Sequence, residues 1–158
     1  MGRARDGEGY QFVVLDTHSG VAVGQAGVML RSLDEGRAGI GYWISPAQRR
    51  RGYATAALRM LVGWASAIEG VERLELVVEP WNEGSWRAAE AAGFVREGLL
   101  RRWERVGGVS RDMYMYAYLP TDAPHDRDTI VSGSPAPAVA KGDETPRFVN
   151  ARALDVTS

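Results

Sequence analysis

The first 120 residues alternate between two hydrophobic periods. Residues 10–16, 21–30 and 37–45 are rich in apolar and β-branched side chains and are separated by polar, glycine-containing segments, which is typical of strands joined by turns. We therefore expect these three strands to form an antiparallel meander. Residues 73–78 (RLELVV) are a fourth predicted strand, and their apolar run indicates burial on both faces and a central position in a sheet.

Between the third and fourth strands the hydrophobic period changes from two to that of a helix. From Tyr53 onward the apolar positions fall on one face, at Ala54, Leu58, Leu61, Val62, Ala65 and Ile68. The pattern predicts an amphipathic helix with one buried face. A strand–helix–strand unit implies that the third and fourth strands are parallel and joined by a right-handed crossover.

A second helix and a hairpin complete the predicted elements. Asn82 is a favourable N-cap, and Gly93 suits the left-handed position that closes a helix, so we expect a short helix over residues 82–92. Residues 95–105 and 110–119 then predict a hairpin that turns at Gly107 and Gly108. The expected class is α+β, with a central mixed sheet built from the meander, a βαβ core and the C-terminal hairpin.

Composition divides the chain into three parts. Residues 1–9 are polar and predicted to be frayed, and residues 10–119 form the predicted folded domain. From residue 120 onward the chain holds most of its 7 prolines and none of its 5 tryptophans, and it shows no hydrophobic period. Residues 120–158 therefore read as a disordered tail. The stretch FVNARAL near its end is either a docking element or an inert apolar patch.

Overall composition excludes several classes of function. A net charge of −1 argues against a general binder of nucleic acids or anionic membranes. The absence of cysteine removes disulfides, thiolate nucleophiles and cysteine-based zinc sites, and it fits a cytoplasmic protein. With only 2 histidines, a histidine-rich metal site is excluded, and we expect no metal. No apolar run reaches the ~18 residues of a membrane span.

A basic turn stands where the first helix is predicted to begin. Arg49, Arg50 and Arg51 are followed by Gly52, directly before the helical pattern starts. A helix N-terminus carries backbone N–H groups without partners and a positive partial charge, and a glycine lets an anion approach that backbone closely. The arrangement predicts a phosphate site. The alternative is a solvated basic turn that begins a surface helix.

The order of residues in this turn resembles a known motif. Arg49-x-x-Gly52-x-Ala54 is similar to the acyl-CoA pyrophosphate loop of the GNAT N-acetyltransferases, written Q/R-x-x-G-x-G/A, and it is flanked by Tyr-Trp-Ile and Tyr-Ala-Thr. Residues 79–98 (EPWNEGSWRAAEAAGFVREG) resemble the second motif of that family, with Pro-x-Asn-x-x-Ser, Ala-Gly-Phe and Arg-Glu-Gly in order. The alternative for this stretch is a capped helix whose polar residues bond only backbone. The hairpin that follows resembles the branch containing the ribosomal-protein-alanine N-acetyltransferases.

The resemblance covers about residues 10–120 and implies a cofactor site. The sheet of the family splays open between the strand ending at Ser45 and the strand ending at Val78, and the pantetheine arm of acetyl-CoA lies in that gap. The pyrophosphate rests on the amides of the helix N-terminus. The implied cofactor-binding residues are Ile44, Ser45, Arg49, Arg50, Arg51, Gly52, Tyr53, Ala54, Thr55, Asn82 and Ser85.

The implied activity is direct transfer of an acetyl group from acetyl-CoA to a primary amine, either a protein N-terminus or a small molecule. Many members protonate the leaving thiolate with a tyrosine on the second helix, but Ala89 occupies the matching position here. Ser85 and Tyr116 are the substitute candidates, and Glu79 is the candidate base acting through water. Each also has a structural interpretation, since strand-end glutamates are mostly solvated and strand tyrosines mostly pack.

One departure from the family pattern leaves alternatives open. The strand and helices that normally precede a strand such as residues 10–16 are missing, which would leave that strand as a bare sheet edge. We expect that the start lies upstream, that a homodimer covers the edge, or that the chain is a relative that only binds acyl-CoA. An RNA-associated protein using the arginine run is a third function class, which the near-zero net charge disfavours.

Overall fold

The computed structural model describes residues 9–122 and 146–150, which form a seven-stranded mixed sheet with two α-helices. In chain order the elements are β1 Gly9–Asp16, β2 Ala22–Met29, β3 Arg37–Ile44, α1 Tyr53–Ser66, β4 Arg73–Val78, α2 Glu83–Ala91, β5 Val95–Val106, β6 Val109–Tyr118 and β7 Pro146–Asn150. The strand order across the sheet is β5-β6-β4-β3-β2-β1-β7.

The predicted α+β class is confirmed. Strands β1, β2 and β3 form the antiparallel meander, β3 and β4 pair in parallel, and β5 and β6 form the C-terminal hairpin. Strand β4 lies inside the sheet between β3 and β6, as its apolar run predicted. The bounds of these six strands each fall within one residue of the predicted ones.

The main core lies between α1 and one face of the sheet. Leu58, Leu61, Val62 and Ala65 are buried on the predicted face of α1, whereas Ala54 and Ile68 are only partly buried. The strands contribute side chains that are almost fully buried, among them Val14, Val28, Ile40 and Leu74. Each such aliphatic side chain contributes roughly 1.5–3 kcal/mol on burial, which fixes α1 against β3 and β4.

Strands β3 and β4 pair over only part of their length. Their register runs from Arg37 opposite Arg73 to Gly39 opposite Glu75, and beyond these residues the two strands separate. Each strand instead follows its antiparallel neighbour on the outer side, since Ile44 still pairs with Gly24 of β2 and Val78 with Tyr114 of β6. The predicted gap between β3 and β4 is therefore present in the sheet.

Helix α2 is closed at both ends as predicted. The Asn82 side-chain oxygen accepts a hydrogen bond from the Ser85 N–H at 3.3 Å. At the other end the Phe94 N–H donates to the Ala89 carbonyl at 3.0 Å across the left-handed Gly93, which is a Schellman motif. These two caps hold α2 in place beside the gap.

The structure differs from the sequence prediction at the far edge of the sheet. Residues 146–150, which were expected to be disordered, form β7 and pair antiparallel with β1 from Phe12 opposite Asn150 to Asp16 opposite Pro146. An edge strand offers a row of backbone groups to any extended segment, and PRFVN contains two good strand formers. Composition could not show this long-range pairing, so the prediction of a fully disordered tail was wrong here.

The covered edge also changes the expectation of a homodimer. Residues 12–16 of β1 already have a partner from the same chain, so a second subunit is not needed to cover them. The predicted frayed N-terminus lies outside the described residues except for Gly9, and the rest of the predicted tail beyond residue 122 lies outside them as well. Within the described part of the chain, neither helix is long and apolar enough to cross a membrane.

Candidate active site

A cavity of about 490 Å³ lies where β3 and β4 separate. It is bounded by the end of β3, by the turn that leads into α1 and the first turn of that helix, and by α2 along its length. The lining residues are Tyr42, Trp43, Ile44, Gln48, Arg49, Arg50, Gly52, Tyr53, Ala54, Thr55, Asn82, Gly84, Ser85, Arg87, Ala88 and Ala91. The two segments singled out from the sequence therefore meet across one cavity, although they are separated by α1 and β4 along the chain.

Most of the predicted cofactor-binding residues line this cavity. They are Ile44, Arg49, Arg50, Gly52, Tyr53, Ala54, Thr55, Asn82 and Ser85. Ser45 and Arg51 do not line it. The Ser45 N–H donates to the Val23 carbonyl at 2.8 Å and is thereby committed to β2. The Arg51 side chain interacts with the hydroxyl of Tyr53.

The N-terminus of α1 presents backbone N–H groups to the cavity. Gly52 is the N-cap residue, with φ of 78°, and no side chain caps the helix. The first helical bond runs from the Ala56 N–H to the Gly52 carbonyl at 3.1 Å. The N–H groups of Tyr53, Ala54 and Thr55 consequently have no acceptor among the described residues. Unpaired donors at the positive end of a helix are the chemistry that binds a phosphate.

The turn before α1 contains two residues in the left-handed conformation. They are Arg50, with φ of 64°, and Gly52, on either side of Arg51. Left-handed residues in a turn are one requirement of a backbone nest that binds anions. A Cβ added to Gly52 would meet no other atom within 4 Å, so the space around it is open to the cavity.

The edge of β3 supplies another donor to the cavity. Successive N–H groups of a strand point to opposite sides, and the N–H of Ser45 points to β2. The N–H and carbonyl of Ile44 therefore point toward the gap, where β4 no longer pairs with β3. The Ile44 carbonyl accepts a hydrogen bond from Arg49 Nε at 3.1 Å. The Ile44 N–H is left to face a ligand in the gap.

A hydrogen bond that the sequence did not predict spans the gap. The Tyr42 hydroxyl of β3 lies 2.6 Å from Ser85 Oγ of α2. Burial raises the pKa of Tyr42, and the bond to Ser85 opposes this only in part, so the phenol stays protonated at neutral pH. Tyr42 shares one face of β3 with Ile40 and Ile44, and a polar tip on this apolar face was the signal available in the sequence.

A second unpredicted contact ties the start of α1 to the far side of the meander. The Tyr53 hydroxyl donates to Asp16 Oδ2 at 2.5 Å. That bond, followed by the bond from the Ser19 N–H, lowers the pKa of Asp16 to about 2. The Tyr53 side chain therefore anchors α1 to β1, while the Tyr53 N–H faces the cavity. His18 lies in the same turn, where its N–H also bonds Asp16.

Of the three predicted catalytic residues, only Ser85 lines the cavity. Glu79 follows β4 and lies 3.8 Å from Arg111 Nε. Tyr116 is fully buried, and its hydroxyl donates to Glu90 Oε1 at 2.9 Å and accepts from Arg96 Nε at 2.8 Å. The structure thus places the Tyr116 hydroxyl in a cluster between α2, β5 and β6, and Glu79 outside the cavity wall.

Comparison with known proteins decides the family. Residues 1–95 match the profile described as acetyltransferase (GNAT) domain, which is more than half of the chain. The chain belongs to the GNAT acetyltransferases. The family predicted from the two motifs is therefore confirmed.

Curated relatives carry acetyltransferase names. The uncharacterized N-acetyltransferase p20 of Bacillus licheniformis is 29% identical over 114 residues, which are 72% of this chain and 64% of that protein. The probable N-acetyltransferase YjcK of Bacillus subtilis is 38% identical over 83 residues, or 52% of this chain and 46% of its own. The putative ribosomal N-acetyltransferase YdaF of the same species is 33% identical over 58% of this chain and 51% of its own. The chain thus spans only about half to two-thirds of these relatives.

Solved structures confirm the GNAT fold. A GNAT-family acetyltransferase from Bacillus anthracis superposes with a TM-score of 0.64 at 25% identity, covering 72% of this chain and 68% of that one. The ribosomal-protein-S5-alanine acetyltransferase of Vibrio fischeri gives a TM-score of 0.63 at 20% identity, covering 72% and 63%. The spermidine N-acetyltransferase of Vibrio cholerae, solved with CoA and spermine, gives a TM-score of 0.62 at 22% identity, covering 70% of this chain and 65% of that one.

Proposed function

We propose that this GNAT domain binds acetyl-CoA in the cavity and transfers the acetyl group directly to a primary amine. The observation that carries the proposal is the uncapped N-terminus of α1, whose free N–H groups open into a cavity that Arg49 and Arg50 also line. The Ile44 N–H opens toward the same cavity, which Ile44 also lines. A ligand that carries both a diphosphate and a carbonyl fits these donors.

The cofactor is held by three groups of contacts in this proposal. The diphosphate rests on the N–H groups of Gly52 to Thr55 and is neutralised by Arg49 and Arg50. The amide-containing arm lies along the open edge of β3 beside Ile44, whose carbonyl already accepts from Arg49. Asn82 and Ser85 face the arm from α2. Arg51 and Ser45 contribute to the shape of the turn, since neither residue lines the cavity and the Ser45 N–H is bonded to the Val23 carbonyl.

The chemical step needs a neutral amine, a polarised carbonyl and a proton for the leaving group. The Ile44 N–H polarises the thioester carbonyl, the amine nitrogen forms the new C–N bond, and the C–S bond breaks. Ser85 Oγ, on the cavity wall, gives a proton to the thiolate and takes one up in turn, while the amine loses its proton to a water molecule. Glu79 stays the predicted base acting through water, and Tyr116 receives no role because its hydroxyl is bonded to Glu90 and Arg96.

The acceptor is proposed only as a class, a protein N-terminus or a small-molecule amine. One relative is named a ribosomal N-acetyltransferase and one structural neighbour a spermidine N-acetyltransferase, so both classes are represented among similar proteins. We propose a cytoplasmic location because the chain has no cysteine.

A second function is a domain that binds acyl-CoA without turnover. It is favoured by Ala89, which is fully buried and offers no hydroxyl where many family members carry a tyrosine. The position of Glu79 outside the cavity wall also favours it.

The two functions are separated by one pair of measurements. Calorimetric titration with CoA tests binding, and release of free thiol from acetyl-CoA is followed with an alanine-initiated peptide, spermidine and an aminoglycoside as acceptors. Binding together with thiol release supports the transferase. Binding without release from any of these amines supports the binding-only domain, and no binding of CoA to folded protein contradicts both.

A further inference from the structure

The hydrogen bond between Tyr42 and Ser85 has a use in acetyl transfer beyond holding β3 and α2 together. We propose that Tyr42 is the source of the proton that Ser85 gives to the leaving thiolate, so that the two hydroxyls act as a relay. Tyr42 is then a positioning residue that works through Ser85. The inference rests on the proposed transferase function.

Both members of the pair are held in position by separate elements. Tyr42 extends from β3 with its side chain packed against the main core. The Ser85 N–H is bonded to the Asn82 side chain, which fixes the first turn of α2. The hydroxyls meet at 2.6 Å, and both residues line the cavity. The bond therefore lies on the wall of the site and not behind it.

The acidity of the two groups sets the direction of the bond. A phenol is a stronger acid than an aliphatic alcohol, so the Tyr42 hydroxyl donates and Ser85 Oγ accepts. The Ser85 carbonyl, at 3.4 Å from the same hydroxyl, is the more distant acceptor. With its oxygen accepting from Tyr42, the Ser85 hydroxyl keeps its own hydrogen for a ligand in the cavity.

The order of acidity explains why the serine needs the tyrosine, even with the pKa of Tyr42 raised by burial. A thiol has a reference pKa of about 8.5 and a tyrosine about 10, whereas an aliphatic alcohol is a far weaker acid than either. Serine alone would leave an unstable alkoxide after protonating the thiolate. When the Tyr42 proton moves to Ser85 Oγ as the Ser85 proton moves to sulfur, the charge ends on the phenolate instead. The phenolate regains its proton from solvent after CoA leaves.

No other tyrosine that lines the cavity can supply this proton. The wall contains one further tyrosine, Tyr53, whose hydroxyl donates to Asp16. Ala89 has no proton to give. Among the described residues that line the cavity, Tyr42 is thus the tyrosine whose hydroxyl reaches a group facing the gap.

The first test compares Tyr42→Phe with Ser85→Ala and with the double variant. We expect kcat for acetyl-CoA with the best amine of the panel to fall about 10²-fold in each, as for loss of a general acid. The double variant should lose no more than the single ones, since the hydroxyls act in series. KM for acetyl-CoA should change less than the turnover number. Tyr10→Phe is the matched control, because its ring packs on Trp64 away from the cavity and it should retain full activity.

A second test separates proton supply from a structural role. When the acetyl donor is a thioester of an acidic aromatic thiol, the thiol leaves as a stable thiolate and needs no proton. Tyr42→Phe should therefore transfer the acetyl group from such a donor at close to the wild-type rate. Fluorotyrosine at position 42, which has a more acidic phenol, should move the alkaline limb of the pH profile of kcat to lower pH. Circular dichroism and thermal melting confirm that each variant is folded.

The outcomes distinguish this inference from the function on which it rests. An unchanged kcat in Tyr42→Phe, or an equal loss with both kinds of thioester, overturns the relay while leaving the transferase intact. Failure of CoA to bind, or of every amine to release thiol, overturns the proposed function and the relay with it. Selective rescue by the aromatic thioester supports the relay.

Discussion

The two helices that border the cavity begin in opposite ways. Helix α2 is capped by Asn82, whose side chain accepts from the Ser85 N–H. Helix α1 begins at a left-handed glycine with no capping side chain, and the first N–H groups of α1 are open to the cavity. A cap contributes about 1 kcal/mol, and α1 does without it. The difference indicates that the first backbone N–H groups of α2 serve the helix itself, whereas those of α1 are available to a ligand.

The anchoring of α1 supports the same contrast. Its first residue is fixed by the bond from Tyr53 to Asp16 on β1, so a side chain holds the helix in place while the backbone stays free. In α2, by contrast, the backbone N–H of Ser85 is itself used in the bond to the capping side chain.

Substitution of Gly52 should disrupt the α1 terminus most. In Gly52→Val the added side chain projects into the open space that we assign to the diphosphate, so KM for acetyl-CoA should rise on the order of 10- to 100-fold, equivalent to about 1.4–3 kcal/mol. Gly20→Val is the matched control, because Gly20 has nearly the same φ, of 70°, with no atom within 4 Å of an added Cβ. Equal KM values in the two variants would show that backbone strain, not a lost ligand site, causes the effect.

Removal of the α2 cap should change stability, whereas substitution of Gly52 should change cofactor binding. Asn82→Ala removes the side-chain acceptor of the Ser85 N–H, which keeps only its bond to the Asn82 carbonyl at 3.1 Å. The variant should lower the free energy of unfolding by about 1 kcal/mol, measured by urea denaturation. Asn82→Asp keeps a capping oxygen and should restore most of that stability. A loss of stability equal in both variants would mean that the Asn82 oxygen is not the stabilising group.

Substitution of Arg50 by glycine should change CoA binding and protein stability in opposite directions. Its φ of 64° is unfavourable for a residue with a Cβ, so Arg50→Gly should raise the free energy of unfolding by about 0.5–1 kcal/mol. Loss of the charge should at the same time weaken CoA binding several-fold, in calorimetry at low salt. Arg50→Lys keeps the charge and should retain affinity. Unchanged affinity in Arg50→Gly would remove this side chain from the site.

The bond between Tyr53 and Asp16 predicts that the stability of the protein depends on pH in the acid range. The pKa of Asp16 falls from 3.8 to about 2 on folding, so its contribution is present above pH 3.8 and is lost as the pH falls toward 2. Tyr53→Phe removes the main cause of that shift. The difference in stability between wild type and Tyr53→Phe should therefore shrink between pH 4 and pH 2. A difference that stays constant over this range would contradict the assignment.

Local patterns were enough to predict the framework of this fold. The apolar run of β4 and the start of α1 at Tyr53 follow from residues adjacent in sequence, and the basic turn was readable because its residues are contiguous. Features that join distant positions were missed. Tyr42 and Ser85 are 43 residues apart, and β7 pairs with β1 from the opposite end of the described chain. Such pairings depend on the three-dimensional course of the chain and leave little trace in local periodicity.

The placement of Tyr116 shows the same limit in the candidate site. Its position just before the end of the last hairpin strand suggested a catalytic hydroxyl, but side chains from two other elements determine its surroundings. Arg96 stacks over Tyr114 at 4.0 Å and bonds the Tyr116 hydroxyl, which in turn bonds Glu90. No local pattern predicts that a carboxylate from α2 and a guanidinium from β5 will meet there.

The most direct test of the central claim observes the backbone of α1 itself. Amide resonances of isotope-labelled protein are recorded by NMR while CoA is added, with pantetheine, which lacks the diphosphate, as the control. We predict that the N–H signals of Tyr53, Ala54 and Thr55 shift strongly with CoA and little with pantetheine, while the capped N–H of Ser85 responds less to the diphosphate. Saturating CoA that leaves the three α1 signals unmoved would contradict the account.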